Sequence, residues 1–477
     1  MTPEEFREAG HRLVDWIADY RAGAADRPVR SSVEPGWVHA ELDAPPPNRP
    51  EPLDVLLADL DRAVLPGLTH FQHPSYFAYF PANASLASVL GDLTSSGLGV
   101  IGLNWESSPA LTELEEITCA WFADLAGLGD PWRGTIHDTA STACLVALLC
   151  AREHASGLSQ NTGGLTALDE PLVVYCSDQA HSSVTKAALL AGFGFEHVRV
   201  LPTDRGGGYA LDPAAVEAAI GADLAAGRRP AAVVASLGTT GVTAVDPVAP
   251  LVEVARRHSM WVHVDAAMAG SAVLLPELAH LFAGVDQADS LSMNPHKWLG
   301  TIIDTSLFFA REPERLVEVM STNPSYLRTA TDGDVTQYRD WGIPLGRRFR
   351  ALKLWFHLRL DGLDAIRARL RRDLEHARWL AAEVEADPAW RLAAPVNLQT
   401  VCVRHEPEGI EGDALDAHTL RWVGAINDGG RAYLTPSMLD GRWMVRVSIG
   451  AEPTERHHVE ALWALMRAAV EEGSRAA

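Results

Sequence analysis

Between about residue 85 and residue 345, short β-rich runs alternate with helical segments, and this alternation constrains the fold more than any other feature of the chain. Leu172–Tyr175, Val198–Leu201, Ala232–Ala235 and Trp261–Val264 read as strands, and Pro213–Ala226 and Pro250–His258 read as helices between them. Strands separated by helices pair mostly in parallel beneath a helical cover. Ligands of such sheets bind at the carboxyl ends of the strands. The flanks read differently. Thr2-Pro3-Glu4-Glu5 has the form of a capping box with Pro at the first helical position, and Phe6, Leu13, Trp16, Ile17 and Tyr20 then recur at helical spacing. Pro45, Pro46, Pro47, Pro50 and Pro52 mark an extended linker before a helix from about Leu53 to Val64. Such an arm has too little core of its own and is expected to pack on another domain or subunit. Beyond residue 350, a long helix from Leu352 to Val384, short strands near Thr400 and Trp443, and a last helix from Glu455 to Glu471 predict a smaller α+β domain. The expected divisions are 1–84, 85–350 and 351–477.

Composition narrows the partners. The formal net charge is −22 and no run of Lys or Arg interrupts it, which disfavours nucleic acid and acidic membrane surfaces. No apolar run is long enough to span a bilayer, and the N-terminus lacks the basic-then-apolar pattern of a secretory signal. Cys119, Cys144, Cys150, Cys176 and Cys402 show no CxxC pairing, so free thiols in a cytoplasmic protein are expected, with no zinc site. The whole chain has three lysines, Lys186, Lys297 and Lys353, so each can be weighed singly.

The strongest chemical pattern is Asp265 at the end of the strand beginning at Trp261, followed thirty-two residues later by Lys297 in Asn294-Pro295-His296-Lys297-Trp298. A pyridoxal cofactor needs a lysine amine to hold it as a Schiff base and a carboxylate to keep its pyridine nitrogen protonated. A strand-end Asp and a loop Lys in one α/β domain meet both needs, although a turn-capping Asp and a solvated surface Lys would give the same letters. His263-x-Asp265 also admits a metal pair, for which no third ligand stands at a convincing spacing. Asp138-Thr139-Ala140-Ser141 precedes an apolar helical run and offers hydroxyls and backbone N–H groups to an anion, or simply caps the helix. His181 opens a helix after the strand at Leu172, where it could stack on a cofactor ring or serve structure alone.

Taken together, Asn294-Pro295-His296-Lys297-Trp298, His263-Val264-Asp265-Ala266-Ala267 and Ala180-His181-Ser182-Ser183 closely resemble the group II pyridoxal-phosphate decarboxylases. Within that group the chain looks like the aromatic L-amino acid decarboxylases. The likeness extends to His73-Pro74, Tyr79-Phe80-Pro81, Trp105, Ser108-Pro109-Ala110 and Ile343-Pro344-Leu345-Gly346-Arg347-Arg348-Phe349-Arg350, and so covers nearly the whole chain. It implies the fold type I architecture of pyridoxal-dependent transferases: an α/β large domain on a mostly parallel seven-stranded sheet, an N-terminal helical arm and a small C-terminal α+β domain. It implies pyridoxal 5'-phosphate as cofactor, an amino-acid substrate, and an obligate homodimer with shared active sites.

The resemblance also assigns roles. Lys297 matches the Schiff-base lysine, Asp265 the partner of the pyridine nitrogen, and His181 the ring-stacking histidine. Thr139, Ala140, Ser141, Asn294 and His296 match positions around the phosphate and the lysine, and Thr239 and Ala267 lie where residues approach the cofactor ring. Phe71, His73, Tyr79, Phe80 and Pro81 line up with the substrate pocket, to which Ile101 and Leu103 come from the other subunit. Tyr326 falls on the catalytic loop, where a phenol can return a proton to Cα after carbon dioxide leaves. Retention of both Tyr326 and His181 favours amine formation over the aldehyde synthesis of some relatives. An apolar pocket would penalise a glutamate side chain. Gly346 stands where Gly accompanies indole substrates, so tryptophan and 5-hydroxytryptophan join dopa, tyrosine and phenylalanine as expected substrates, with histidine the main alternative. Met268, Ala82, Leu103 and Asp138 depart from the common residues; the first three reshape the pocket and leave the order of substrates open.

Overall fold

The computed structural model describes residues 1–322, 327, 329 and 331–475. The chain divides into two units, one formed by Met1–Pro81, Trp379–Ala393 and Val403–Ala477, the other by Ala82–Arg378 and Ala394–Cys402.

The larger unit is built on seven strands: β1 (Arg133–His137), β2 (Leu172–Ser177), β3 (Val198–Leu201), β4 (Arg229–Ser236), β5 (Trp261–Ala266), β6 (Ser290–Met293) and β7 (Ser306–Ala310). Their order is β1-β7-β6-β5-β4-β2-β3. β2, β3, β4, β5 and β6 pair in parallel, whereas β7 runs antiparallel to both of its neighbours. Every residue of β2 and β5 is buried, as strands covered by helices on both faces require. The four strands expected from the sequence are present, each within two or three residues of its predicted ends.

One expectation is corrected. The helix predicted from Leu352 to Val384 is two helices, Ala351–Asp361 and Leu363–Ala386, separated at Gly362, whose φ of 76° and ψ of 150° lie outside the helical region. Both helices after residue 350 begin in the larger unit, and the break falls inside the second of them. The N-terminal arm joins the C-terminal segments because its backbone is bonded to theirs. Val29 N–H donates to Gly430 O at 2.9 Å, Phe77 N–H to Tyr433 O at 3.0 Å, and Ser448 N–H to Phe77 O at 2.9 Å. These partners lie hundreds of residues apart, beyond the reach of any local pattern. The smaller unit carries a sheet ordered β10-β11-β9-β8, from β8 (Trp390–Leu392), β9 (Thr400–His405), β10 (Thr435–Leu439) and β11 (Arg442–Ser448).

The capping box at Thr2 forms, with Thr2 Oγ1 accepting from Glu5 N–H and Glu5 reaching back to Thr2 N–H. The helix it opens, Pro3–Ala22, has no buried residue.

Candidate active site

The carboxyl ends of β5 and β6 bring Asp265 and the Lys297 segment together. Asp265 pairs across the sheet with Ser236 on β4 and Ser292 on β6. Its carboxylate accepts from Ala267 N–H at 3.0 Å, which folds the chain over the strand end. Asn294 N–H donates to Ala267 O at 3.2 Å, tying that turn to the segment after β6. Asn294 Oδ1 accepts from Ser306 Oγ at 2.7 Å, so Asn294 is fixed from both ends. His296 is buried, and its Nδ1 accepts from Thr305 N–H at 3.1 Å, which leaves the ring proton on Nε2. Burial, and then the charge of Lys297, pull His296 down to about 4, so the ring is neutral at ordinary pH. Lys297 itself leaves the helical conformation, with φ −101° and ψ −113° inside Pro295–Leu299, and its carbonyl accepts from Asn83 Nδ2 at 3.4 Å.

His181 stands at the start of the helix Ser182–Leu190. Its Nδ1 accepts from Ser183 N–H at 3.2 Å and lies 2.7 Å from Ser183 Oγ, which again assigns the ring proton to Nε2. Burial lowers its pKa first; Lys297 then lowers it and Asp265 raises it. That opposed pull is the electrostatic mark of a ring lying within reach of both an ammonium and a carboxylate. Thr139 caps the helix Ala140–Ser156 through Thr142 N–H, and Asp138 accepts from Thr139 N–H at 2.7 Å, so the N–H groups of Ala140 and Ser141 are left for an anion at the helix start. Thr239 is buried, and its hydroxyl accepts from Ala244 N–H at 2.9 Å, closing the turn that follows β4. Ala267 is buried beside Asp265.

The other lysines are excluded from this role by their surroundings. Lys186 is exposed on its helix. Lys353 is fully buried and committed to Asp92 and Asp304. His263 is buried against Ser290, with Nδ1 and Oγ 2.9 Å apart, and among the described residues no group of three His, Cys, Asp or Glu could hold a metal ion.

A second wall belongs to the same unit. Gly102 and Arg347 exchange backbone hydrogen bonds of 2.9 and 3.2 Å, which sets Ile101 and Leu103 beside Gly346. Ile101 is 59% exposed, and a Cβ placed on Gly346 would meet nothing nearer than Ile101 Cγ2, at 3.6 Å. The anchor of this wall is a contact that no sequence pattern announces. The buried Arg347 guanidinium lies 2.6 Å from Glu115, 3.0 Å from Thr135 Oγ1 and 3.0 Å from Ile136 O. Sequence reasoning also missed Ser177 and Ser236, whose hydroxyls are buried at the carboxyl ends of β2 and β4 without a partner among the described residues. Single serines at strand ends carry no signal until the register is known.

Phe71, His73, Tyr79, Phe80 and Pro81 belong to the smaller unit. Phe71 packs on Tyr76 with ring centres 4.6 Å apart, and Arg446 lies 5.0 Å from the centre of the Phe80 ring. Tyr79 is 53% exposed, has a φ of 47°, and points its hydroxyl to within 3.4 Å of Tyr433 Oη. The ring of His73 is buried, Nδ1 accepts from Ser75 N–H at 2.9 Å, and Nε2 lies 3.2 Å from Ala25 O. Tyr326 lies outside the described residues. A cavity of about 1250 Å³ lined by Trp105, Glu116, Trp132, Tyr338 and Trp341 contains none of the predicted cofactor residues.

The donor set at the sheet edge fits pyridoxal phosphate: the amine of Lys297, the strand-end carboxylate of Asp265, the imidazole of His181, and a helix start that presents N–H groups. Comparison with known proteins agrees. The family model described as the pyridoxal-dependent decarboxylase conserved domain matches residues 35–406. The chain is 41% identical over 475 residues to the phenylacetaldehyde synthase of Arabidopsis thaliana, covering 98% of this chain and 96% of that protein. It is 40% identical to tryptophan decarboxylase 2 of Oryza sativa subsp. japonica, covering 98% and 95%. Among solved structures, the crystal structure of Oryza sativa TDC with PLP and tryptamine superposes with a TM-score of 0.95 at 36% identity, covering 99% of each chain.

Proposed function

The chain belongs to the pyridoxal-dependent decarboxylase family, and on that premise we propose that it removes the α-carboxylate of aromatic L-amino acids to give arylalkylamines and carbon dioxide. It is a carboxy-lyase that uses pyridoxal phosphate. The observation that carries the site assignment is the meeting of Asp265, at the end of β5, with the Lys297 segment after β6, tied through Ala267 and Asn294.

Pyridoxal phosphate, when bound, accepts the electron pair released as the bond to the carboxylate breaks. The residues of the chain do the rest. Lys297 would hold the cofactor through its amine. Asp265 would keep a proton on the pyridine nitrogen, and His181 would lie against the ring. Ala140 and Ser141 would offer N–H groups to the phosphate, with Thr139, Asn294 and His296 near it and Thr239 and Ala267 near the ring. On the family resemblance we assign Ile101, Leu103 and Gly346 in the larger unit, and Phe71, Tyr79, Phe80 and Pro81 in the smaller, to the substrate; these side chains suit an aromatic group and would leave an acidic one without a partner. Tyr326 returns a proton to Cα.

We further propose a homodimer. The helix Pro3–Ala22 exposes Phe6, Leu13 and Val14, and the helix Leu86–Leu98 exposes Leu86, Leu90, Leu93 and Leu98. A helix with an apolar stripe and no buried residue gains little from its own chain, so a second copy is the natural cover. Because Gly102 and Arg347 bridge one wall, Gly346 reaches whichever site Ile101 and Leu103 reach, including the partner's. We place the protein in the cytoplasm on its five cysteines, each buried and none in a disulfide.

The aldehyde-forming relative supplies the second reading. The test is turnover by purified, cofactor-loaded protein of tryptophan, 5-hydroxytryptophan, dopa, tyrosine, phenylalanine, histidine and glutamate. Amine and carbon dioxide from the aromatic substrates are expected. Aldehyde with ammonia and peroxide would replace the proposal with the second reading, and turnover of histidine or glutamate alone would overturn the pocket.

A further inference from the structure

We propose that Lys353 is a positioning residue for the Lys297 segment: its sealed ammonium fixes the turn at Ile303 and Asp304, and through Thr305 that turn fixes the ring of His296 beside Lys297. The inference rests on Lys297 being the lysine that binds the cofactor.

Lys353 sits on the helix Ala351–Asp361 and is fully buried. An ammonium has three protons to place, and burial is costly unless each finds an acceptor. Here three acceptors are in range: Ile303 O at 3.1 Å, Asp304 Oδ1 at 3.1 Å and Asp92 Oδ1 at 3.2 Å. The base of the side chain has little room to shift. Its helix packs so closely on Leu86–Leu98 that a Cβ on Gly91 would stand 2.5 Å from Leu352 O and 2.9 Å from Lys353 Cα. The far oxygen of Asp304 is clamped by Arg350, at 2.8 Å from Nη2 and 3.1 Å from Nε. Burial works against the charge on Asp304, yet Arg350 and then Lys353 hold its carboxyl at about 2.

The next residue carries this rigidity into the site. Thr305 N–H is the donor that orients His296 Nδ1, and His296 immediately precedes Lys297. From Trp298 to Ile302 the segment itself contributes neutral groups to its contacts. Ile302 N–H donates to Ser88 Oγ at 2.9 Å, Thr301 Oγ1 lies 2.9 Å from His357 Nδ1, and Arg369 Nη2 donates to Trp298 O and Leu299 O at 2.6 Å each. At Ile303 and Asp304 the hold is instead an ion network around a buried ammonium. Such a network adds little stability over an apolar side chain of the same volume, whereas breaking one member leaves charge stranded. Its effect is on geometry, and the geometry it sets is that of the lysine segment. Two of the chain's three lysines thus converge on one loop, one to bind and one to place it.

The experiment uses cofactor-loaded Lys353→Met and Asp304→Asn, with thermal unfolding, steady-state kinetics and visible circular dichroism of the bound cofactor on the folded protein. Expected for Lys353→Met are a kcat about 10²-fold lower with KM little changed, a displaced visible dichroic band and weaker cofactor retention. Asp304→Asn should move the same readouts less, and it stands in if Lys353→Met does not fold. If both variants unfold at lower temperature but keep kcat and the visible band, Lys353 is structural only and the proposal is overturned. Lys297→Ala is run beside them. A visible band that survives there overturns the parent reading and this one with it, whereas a band lost there but untouched in the two variants overturns this one alone.

Discussion

The carboxyl edge of the seven-stranded sheet and the interior of the smaller unit treat polar groups in opposite ways. In the smaller unit Trp390 packs on Trp422 at 5.5 Å, on Trp463 at 5.1 Å and on His405 at 4.9 Å, and His405 closes on His418 with a 2.7 Å contact between ring nitrogens. Each imidazole there meets aromatic faces or the other imidazole. At the sheet edge the same kinds of group are placed but not used up. Among the described residues the hydroxyls of Ser177 and Ser236 have no hydrogen-bond partner, and the first N–H groups of the helix Ala140–Ser156 precede its internal bonds. The difference teaches where to look for chemistry in a fold of this size: in polar groups whose positions are over-determined while their bonding capacity is unspent.

The largest expected effect breaks the sheet-edge side of that contrast. Lys297→Ala should abolish the visible absorbance of the bound cofactor and lower kcat by about 10⁴-fold or more, measured by absorbance and amine release, with the unfolding midpoint of the apoprotein close to that of the parent. A surviving band would pass the role to Lys186 or Lys353, against the exposure of the first and the ion pairs of the second.

Much of that edge was readable in the letters. Trp261–Val264 had to be a strand, Asp265 had to lie at its end, and with three lysines in the chain Lys297 was the one with a matching context. What could not be read is whatever depends on register or on contacts across hundreds of residues. Nothing local says that β7 returns antiparallel and places Ser306 on Asn294, that Arg347 finds Glu115, or that Asp304 is held by a lysine 49 residues on. The same reason separates the predicted arm from the observed unit, since Val29 and Phe77 are held by Gly430, Tyr433 and Ser448. A motif gives identity without orientation, so nothing in His73-Pro74 says that the ring turns to Ser75 and Ala25.

The next effect tests the sealed side. Trp390→Ala removes the ring on which Trp422, Trp463 and His405 all pack, and should cost about 3–5 kcal/mol in denaturant unfolding. The visible band of the bound cofactor in the remaining folded protein should stay where it is. A displacement as large as that expected of Lys353→Met would show that the two regions are not distinct in the way their bonding suggests.

The smallest effect is in pH, and its sign follows from the sealed pair. Burial, and then the neighbouring His418, pull His405 down to about 4 from an ordinary value of 6.5, with Asp387 opposing weakly; burial lowers His418 as well. Between those two values the unfolded chain binds a proton at His405 that the folded chain refuses. Stability is therefore fully present above about pH 6.5, falls as the pH drops, and stops falling from this source near 4. His405→Phe should flatten that slope, measured as unfolding midpoint against pH, although it lowers stability at neutral pH by taking the partner from His418. A slope remains because the larger unit has its own buried imidazoles, with His137 and His357 pulled to about 3 and His263 to about 4, chiefly by burial. Those belong to the sheet and its helices, so acid should act on both regions through sealed rings. An unchanged slope in His405→Phe would mean that the acid response is set by the larger unit alone.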